Sequence, residues 1–232
     1  MDKEQIKAVF DQQASTYDEK WKGLAAINGA LHLLTGAVLA ELPEEARILC
    51  VGAGTGAELL YLAGRFPGWR FTAVEPSAAM LDVLRARAEE QGIAGRCVFH
   101  EGYLESLPAG EPFHAATSVL VSQFIQDRAE RAGFFREIAA RLVREGVLVS
   151  ADLACDFATE EGRSLLGTWF RLMKGGGVSA EEVERMRGAY ERDVAVLPRE
   201  GVPAIVMEGG FGVPVPFFQA GMIHAWYARV GG

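Results

Sequence analysis

Cysteine is scarce in this chain: Cys50, Cys97 and Cys155 are the only three among 232 residues, and no two form a CxxC pair. That spacing builds neither a zinc site nor a disulfide framework, and Cys50, inside an apolar run, reads as a small core residue. The four histidines stand in unpromising company, His32 on an apolar helical stretch, His100 and His114 beside strand-like runs and His224 within one. No paired carboxylates and no Ser–His–Asp spacing ask for hydrolytic chemistry, and no metal ligand set is visible. Positive charge is also short, with 23 Lys and Arg against 31 Asp and Glu, a net charge of −8 and a pI near 5.1. Phosphate neutralisation needs clustered cations, so a nucleic-acid partner is not expected. The densest basic stretch, Arg136 to Arg144, alternates with Glu137 and Glu145 and reads as a solvated helix face. No run of 18 apolar residues exists, and Met1-Asp2-Lys3-Glu4 is too polar for a secretory signal. The expectation is a cytoplasmic protein with no membrane partner.

What is present is globular: 50% of residues are hydrophobic and 23% charged, enough for one α/β domain with an insertion. From about residue 46 to 152 strand-like and helix-like runs alternate. Ile48 to Val51 is a continuous apolar run ending at a glycine, as in a buried parallel strand. Ala57 to Phe66 reads as a helix stopped by Pro67-Gly68, and Phe71 to Val74 as a second strand. Ser77 caps a helix through Gln91, with Gly92 past its end. Cys97 to Phe99 and Ala115 to Leu120 read as further strands, Arg128 to Val143 as an amphipathic helix, and Val147 to Ala151 as a fifth strand. Such alternation calls for a parallel sheet covered on both faces by right-handed crossovers. Residues 2–41 hold helical stretches and no strand. Residues 157–194 hold more helix, broken at Lys174-Gly175-Gly176-Gly177, and Pro198 to Met207 a short one. Two β-type runs, Val213 to Gln219 and Met222 to Val230, are joined so tightly that they must pair antiparallel.

The motif that carries chemistry is Val51-Gly52-Ala53-Gly54-Thr55-Gly56-Ala57, at the first strand-to-helix turn. Glycines there let the backbone turn tightly and approach a ligand, and the helix behind presents free N–H groups. Read as Gly52-x-Gly54-x-x-Ala57 it satisfies the dinucleotide fingerprint, with Glu75 placed at the end of the second strand for ribose hydroxyls. Read as Gly52-x-Gly54-x-Gly56 it matches the nucleoside loop of class I methyltransferases. The antiparallel tail, in place of a sixth parallel strand, favours the second reading over a nicotinamide enzyme.

Further residues extend the likeness along nearly the whole chain. They are Phe10-Asp11-x-x-Ala14-x-x-Tyr17-Asp18, Val74-Glu75-Pro76-Ser77 with Met80, Glu101-Gly102-Tyr103-Leu104-Glu105, Val119 to Asp127, and Gly209-Gly210-Phe211. With them the chain resembles the class I S-adenosylmethionine-dependent methyltransferase superfamily. The resemblance implies a single Rossmann-like α/β domain. Its mostly parallel seven-stranded sheet would end in a C-terminal antiparallel hairpin, with residues 1–41 as a helical lid and 157–194 as a helical insertion over the active site. It implies S-adenosylmethionine as cofactor and S-adenosylhomocysteine as product. Gly52, Ala53, Gly54 and Gly56 would cradle the methionine part, and Glu75 would accept from the ribose. Pro76, Ser77 and Met80 would flank the adenine, Gly102, Tyr103 and Leu104 would lie along its edge, and Val119 would sit beneath the cofactor. Family members commonly carry acids where this chain has Cys50, Tyr103 and His114; stacking by Tyr103 could stand in for the missing carboxylate. The insertion and the ending Phe217-Phe218-Gln219…Ile223-His224-Ala225-Trp226 are also similar to carboxy-S-adenosylmethionine synthases.

Methyl transfer is an in-line displacement, so alignment supplies much of the acceleration, and a base is needed only when the acceptor arrives protonated. The reaction centre in such sheets lies beyond the carboxyl ends of the strands. Tyr17, Gln123 and Asp152 are therefore the candidate catalytic residues, with Ser122 and Trp21 near them: Tyr17 to close over the cofactor, Gln123 to touch the acceptor, Asp152 to act as its base. Each has a plainer alternative, Tyr17 as an anchor, Gln123 and Asp152 as helix caps. Trp169, Phe170, Met173 and Met186 on the insertion are expected as core, as roof of the acceptor pocket, or as contacts of a homodimer. The expected partner is a small-molecule acceptor. Two rival functions remain open, an enzyme making or using a carboxylated cofactor and a non-catalytic S-adenosylmethionine-binding module.

Overall fold

The computed structural model describes residues 2–231. Alternation in the sequence becomes five parallel strands, β1 (Arg47–Val51), β2 (Arg70–Glu75), β3 (Cys97–Glu101), β4 (Phe113–Val119) and β5 (Leu142–Leu153). The hairpin β6 (Val215–Ala220) and β7 (Ile223–Arg229) adds an antiparallel pair through β7, giving the order β3-β2-β1-β4-β5-β7-β6. The chain doubles back between β1 and β4, and such a switch point opens a crevice at the strands' carboxyl ends.

Alternate residues of β1 serve opposite faces. Ile48 and Cys50 join the core under α4 (Ala57–Arg65) and α5 (Ala78–Glu90), whereas Leu49 and Val51 join the core under α6 (Arg128–Ala140) and α9 (Gly201–Glu208). Burial on both sides explains why this strand is apolar throughout. Ser77 caps α5 as expected, its hydroxyl accepting from Met80 N–H at 3.2 Å.

The N-terminal segment expected as a lid comprises α1 (Lys3–Gln13), α2 (Tyr17–Trp21) and α3 (Ala25–Val38), joined by single 3-10 turns. The insertion is two helices, α7 (Glu160–Gly175) and α8 (Ala180–Arg192). Lid and insertion share one apolar cluster in which Leu24 packs with Trp169, Phe170 and Met173. Gly23 and Gly176 bring the two backbones so close that a Cβ on Gly23 would overlap Gly176 Cα. Lys20 and Glu182 add an ion pair at 3.3 Å. Because Trp169, Phe170 and Met173 are buried within the chain itself, they lend no support to a homodimer.

The boundary between α6 and β5 differs most from expectation. Helix α6 ends at Ala140, and Leu142 and Val143 belong to β5, which starts well before Val147. The register slips there, from Phe113↔Leu142 to Ala115↔Val147, with Glu145 in the left-handed region at φ 61°. Among the described residues no helix is long and apolar enough to cross a membrane.

Candidate functional site

The glycine loop leaves β1 and enters α4 with Gly52, Gly54 and Gly56 all at positive φ, 68°, 54° and 82°. At Gly56 a side chain would run into Leu84 of α5, so this glycine lets loop and helix pack. Gly54 differs: a Cβ there would meet nothing within 4 Å. Packing does not require that glycine, and the space above it is open.

Glu75 closes β2 directly beside this space and is only 6% exposed. Its Oε2 accepts from Gly54 N–H and its Oε1 from Ser77 N–H, both at 2.9 Å. Burial pushes its carboxyl up, while those two amides pull it back. Each oxygen keeps a further lone pair, so the group is fixed in orientation and still able to accept from hydroxyls. An open cradle of backbone next to an oriented carboxylate suits a ribose-bearing ligand, and the residues fit a nucleoside cofactor.

The lid is tied to this crevice by residues to which the sequence assigned no role. Asp11 Oδ1 accepts from Ser77 Oγ at 2.6 Å, and Asp18 Oδ1 accepts from the loop hydroxyl of Thr55 at 2.9 Å. Asp18 also pairs with Arg87 of α5. Both aspartates lie in the Phe10-to-Asp18 pattern, which was the signal available.

The expected site residues fall into three groups. Gly52, Ala53, Gly54, Gly56, Glu75, Pro76, Ser77 and Gly102 are gathered around the crevice, with Gly102 N–H bonded to Glu75 O at 3.1 Å. Tyr17 joins them: its ring lies 6.3 Å from both Phe10 and Trp21, and its hydroxyl feels the charge of Glu75. Burial, with Asp18 and Glu75 adding, pushes that hydroxyl up to about 12, so it stays protonated at neutral pH and is no base.

A second group turns to other tasks. Tyr103 donates its hydroxyl to Lys3 O at 2.8 Å and carries the Lys3 ammonium 4.8 Å over its ring, which ties down α1. Met80 and Leu104 are buried, at 1% and 3% exposure. Val119 is half-buried and packs with Leu31 of the lid.

The third group needs correction. Asp152 is neither a helix cap nor an available base. It lies within β5, fully buried, with Arg131 paired to its Oδ1 at 3.3 Å and Ser122 Oγ donating to its Oδ2 at 2.9 Å. Burial raises its carboxyl and Arg131 lowers it. A carboxylate spent on a buried cation cannot meet a substrate proton. Gln123 does not cap α6, whose cap is Asp127; its Oε1 accepts from Leu153 N–H at 2.8 Å and pins the loop after β4 to β5.

With this geometry in view, the chain can be set beside known proteins. A model of the methyltransferase domain matches residues 48–146, which span the glycine loop and Glu75. Over that stretch the chain is similar to methyltransferase domains. It is 26% identical over 226 residues to a carboxy-S-adenosyl-L-methionine synthase of Dichelobacter nodosus, covering 94% of this chain and 91% of that one. It is also 32% identical over 148 residues to a release factor glutamine methyltransferase of Chlorobaculum tepidum, over 53% of this chain and only 50% of the relative's length. Among solved structures, an O-methyltransferase family 2 protein of Planctomyces limnophilus in complex with apigenin superposes with a TM-score of 0.62 at 15% identity, over 99% of this chain and 62% of that one. A geranyl diphosphate methyltransferase in complex with its diphosphate and sinefungin gives 0.62 at 14%, over 87% of this chain and 77% of that one. At such identities the superpositions speak for the fold. A dinucleotide enzyme of the usual order carries a parallel sixth strand, where this chain has antiparallel β7.

Proposed function

We propose that the chain binds S-adenosylmethionine across the glycine loop and transfers its methyl group to a small-molecule acceptor, releasing S-adenosylhomocysteine. The observation that carries this reading is the open backbone at Gly54 set against the oriented Glu75 carboxylate. In this reading Gly52, Ala53, Gly54 and Gly56 face the methionine portion, Glu75 accepts from the ribose hydroxyls, and Pro76, Ser77 and Gly102 border the nucleoside. When bound, the sulfonium supplies an electrophilic methyl group and leaves as a neutral thioether.

The chain's own part is alignment and exclusion of water. Asp11 and Asp18 hold the lid over the crevice, and the ring of Tyr17 packs between those of Phe10 and Trp21. Neither Tyr17 nor Asp152 is free to take a proton. That favours acceptors whose nucleophilic atom reaches the site with a lone pair already available.

A second reading, an enzyme that makes or uses a carboxylated form of the cofactor, is favoured by the near full-length match to the Dichelobacter synthase. Mass spectrometry of the nucleoside that copurifies separates the two. The main reading is tested by calorimetry with S-adenosylhomocysteine. Wild type should bind, and Glu75→Ala should lose at least about tenfold in affinity with the loss of its hydrogen bonds to the sugar. Gly54→Val should lose as much, because it fills the open space and strains a left-handed position. Wild type without measurable affinity, or both variants binding unchanged, would overturn the assignment.

A further inference from the structure

Trp21 Nε1 is buried and has no hydrogen-bond partner among the described residues. A buried indole N–H ordinarily finds an acceptor, since leaving it unpaired costs free energy. The location gives the orphan meaning. Trp21 meets Tyr17 edge-on at 6.3 Å, and Tyr17 in turn lies within electrostatic reach of Glu75. On its other side Trp21 packs with the insertion, in a cluster that includes Leu24, Leu120, Phe157, Trp169 and Phe218. Trp21 thus stands between the proposed cofactor crevice and the insertion.

Leu120 adds an independent sign. It follows the last residue of β4 and holds a φ of 58°, a left-handed conformation that bulky residues rarely adopt. Strain of that kind gathers where a side chain must be aimed, and Leu120 packs in the same cluster as Trp21.

The charge beside Trp21 is the Lys20 ammonium, 5.4 Å from the centre of its ring, and it is already engaged by Glu182 at 3.3 Å. Arg187, which lies over the Phe170 ring, pairs with Glu184 at 3.4 Å. A charged acceptor would enter this wall without a counterion and lose its hydration.

We propose that Trp21 Nε1–H orients the acceptor, and that the acceptor is an uncharged, flat, largely apolar molecule bearing an oxygen or nitrogen that receives this hydrogen bond. The proposal rests on the methyl-transfer reading and names the substrate class for it.

The test uses the full chain saturated with S-adenosylhomocysteine and two matched probes, 2-naphthol and 2-naphthoate, followed by calorimetry and thermal melting. Naphthol should bind and raise the melting temperature, while naphthoate at equal concentration should not. Trp21→Phe keeps an aromatic ring and removes the donor. It should weaken naphthol about five- to tenfold, leave S-adenosylhomocysteine affinity within about twofold, and melt no lower than wild type, since it deletes an unpaired buried donor. Naphthoate binding as well as naphthol, no response to naphthol, or unchanged naphthol affinity in the variant would each overturn the proposal. So would a marked fall in the variant's own melting temperature, which would mean that the N–H serves the fold. Wild type that fails to bind S-adenosylhomocysteine would instead sink the methyl-transfer reading itself.

Discussion

A carboxylic acid in the first turn of a helix ordinarily stays ionised, because the helix dipole favours the anion. Glu58 occupies that turn of α4, yet burial pushes its carboxyl up to about 7, with the Thr117 hydroxyl pulling back. Its Oε1 is buried without a partner among the described residues, and the nearby Cys50 thiol is itself pushed well up by burial and by Glu58. The sign follows from linkage. A carboxyl raised in the folded state favours folding while protonated, so its contribution is full below the ordinary carboxylate range and is lost as pH rises through about 7. Glu58→Gln fixes the neutral form. The variant should match wild type in urea unfolding at pH 5 and exceed it at pH 8, by at most about 3 kcal/mol. Equal stability at both pH values would mean that the folded protein already accommodates the charge. Nothing in Ala57-Glu58-Leu59-Leu60 announces this, since an acid just inside a helix start looks like an ordinary dipole partner.

At the scale of elements, the lid is held on its two sides by different forces. Its contacts with the insertion are mainly apolar and close, through Leu24 and the Gly23–Gly176 approach, with the Lys20–Glu182 ion pair beside them. At the glycine loop and Ser77 its contacts are polar, Asp11 to Ser77 and Asp18 to Thr55 and Arg87. Polar bonds that water can replace are the ones that open first. Asp18→Ala should therefore speed S-adenosylhomocysteine dissociation several-fold in stopped-flow measurements while shifting global stability by less than about 1 kcal/mol. An unchanged rate would show that the lid does not gate the crevice. These elements also mark what the sequence reveals. Helix α5 was legible because both ends carry a local mechanism, Ser77 at the start and Gly92, at φ 68°, past the end. The hairpin was legible because its connection is too short for anything else. The boundary between α6 and β5 was not: Leu142 and Val143 suit the apolar stripe of a helix and the start of a strand alike, and only pairing with Phe113 decides. The glycine loop and Glu75 were readable as a cradle, whereas Asp152 was misread because its partner Arg131 comes from a different element.

Across the whole molecule, that pair joins four segments. Arg131 reaches from α6 to Asp152 in β5, donates Nε–H to Ser122 Oγ in the loop after β4 at 2.9 Å, and donates a second N–H to Ala195 O beyond the insertion at 3.1 Å. Ala195 N–H returns to Gln123 O at 2.7 Å, and the next strand of chain bridges Leu197 to Ala154. The exit of the insertion is thereby fastened to the strand ends that border the proposed reaction centre. With Arg131 and Asp152 1% and 0% exposed, neither charge has water to fall back on. Removing one partner strands the other, whereas removing both leaves an apolar contact. Arg131→Met alone should lower stability by about 3–5 kcal/mol, and Arg131→Met with Asp152→Leu should recover most of it in urea unfolding. The double variant still lacks the bonds to Ser122 and Ala195, so if these set the acceptor wall it should bind S-adenosylhomocysteine normally yet lose the naphthol response. A double variant that recovers stability and naphthol binding together would show that the pair serves the fold alone; loss of naphthol binding on a restored fold would assign Arg131 to positioning the loop.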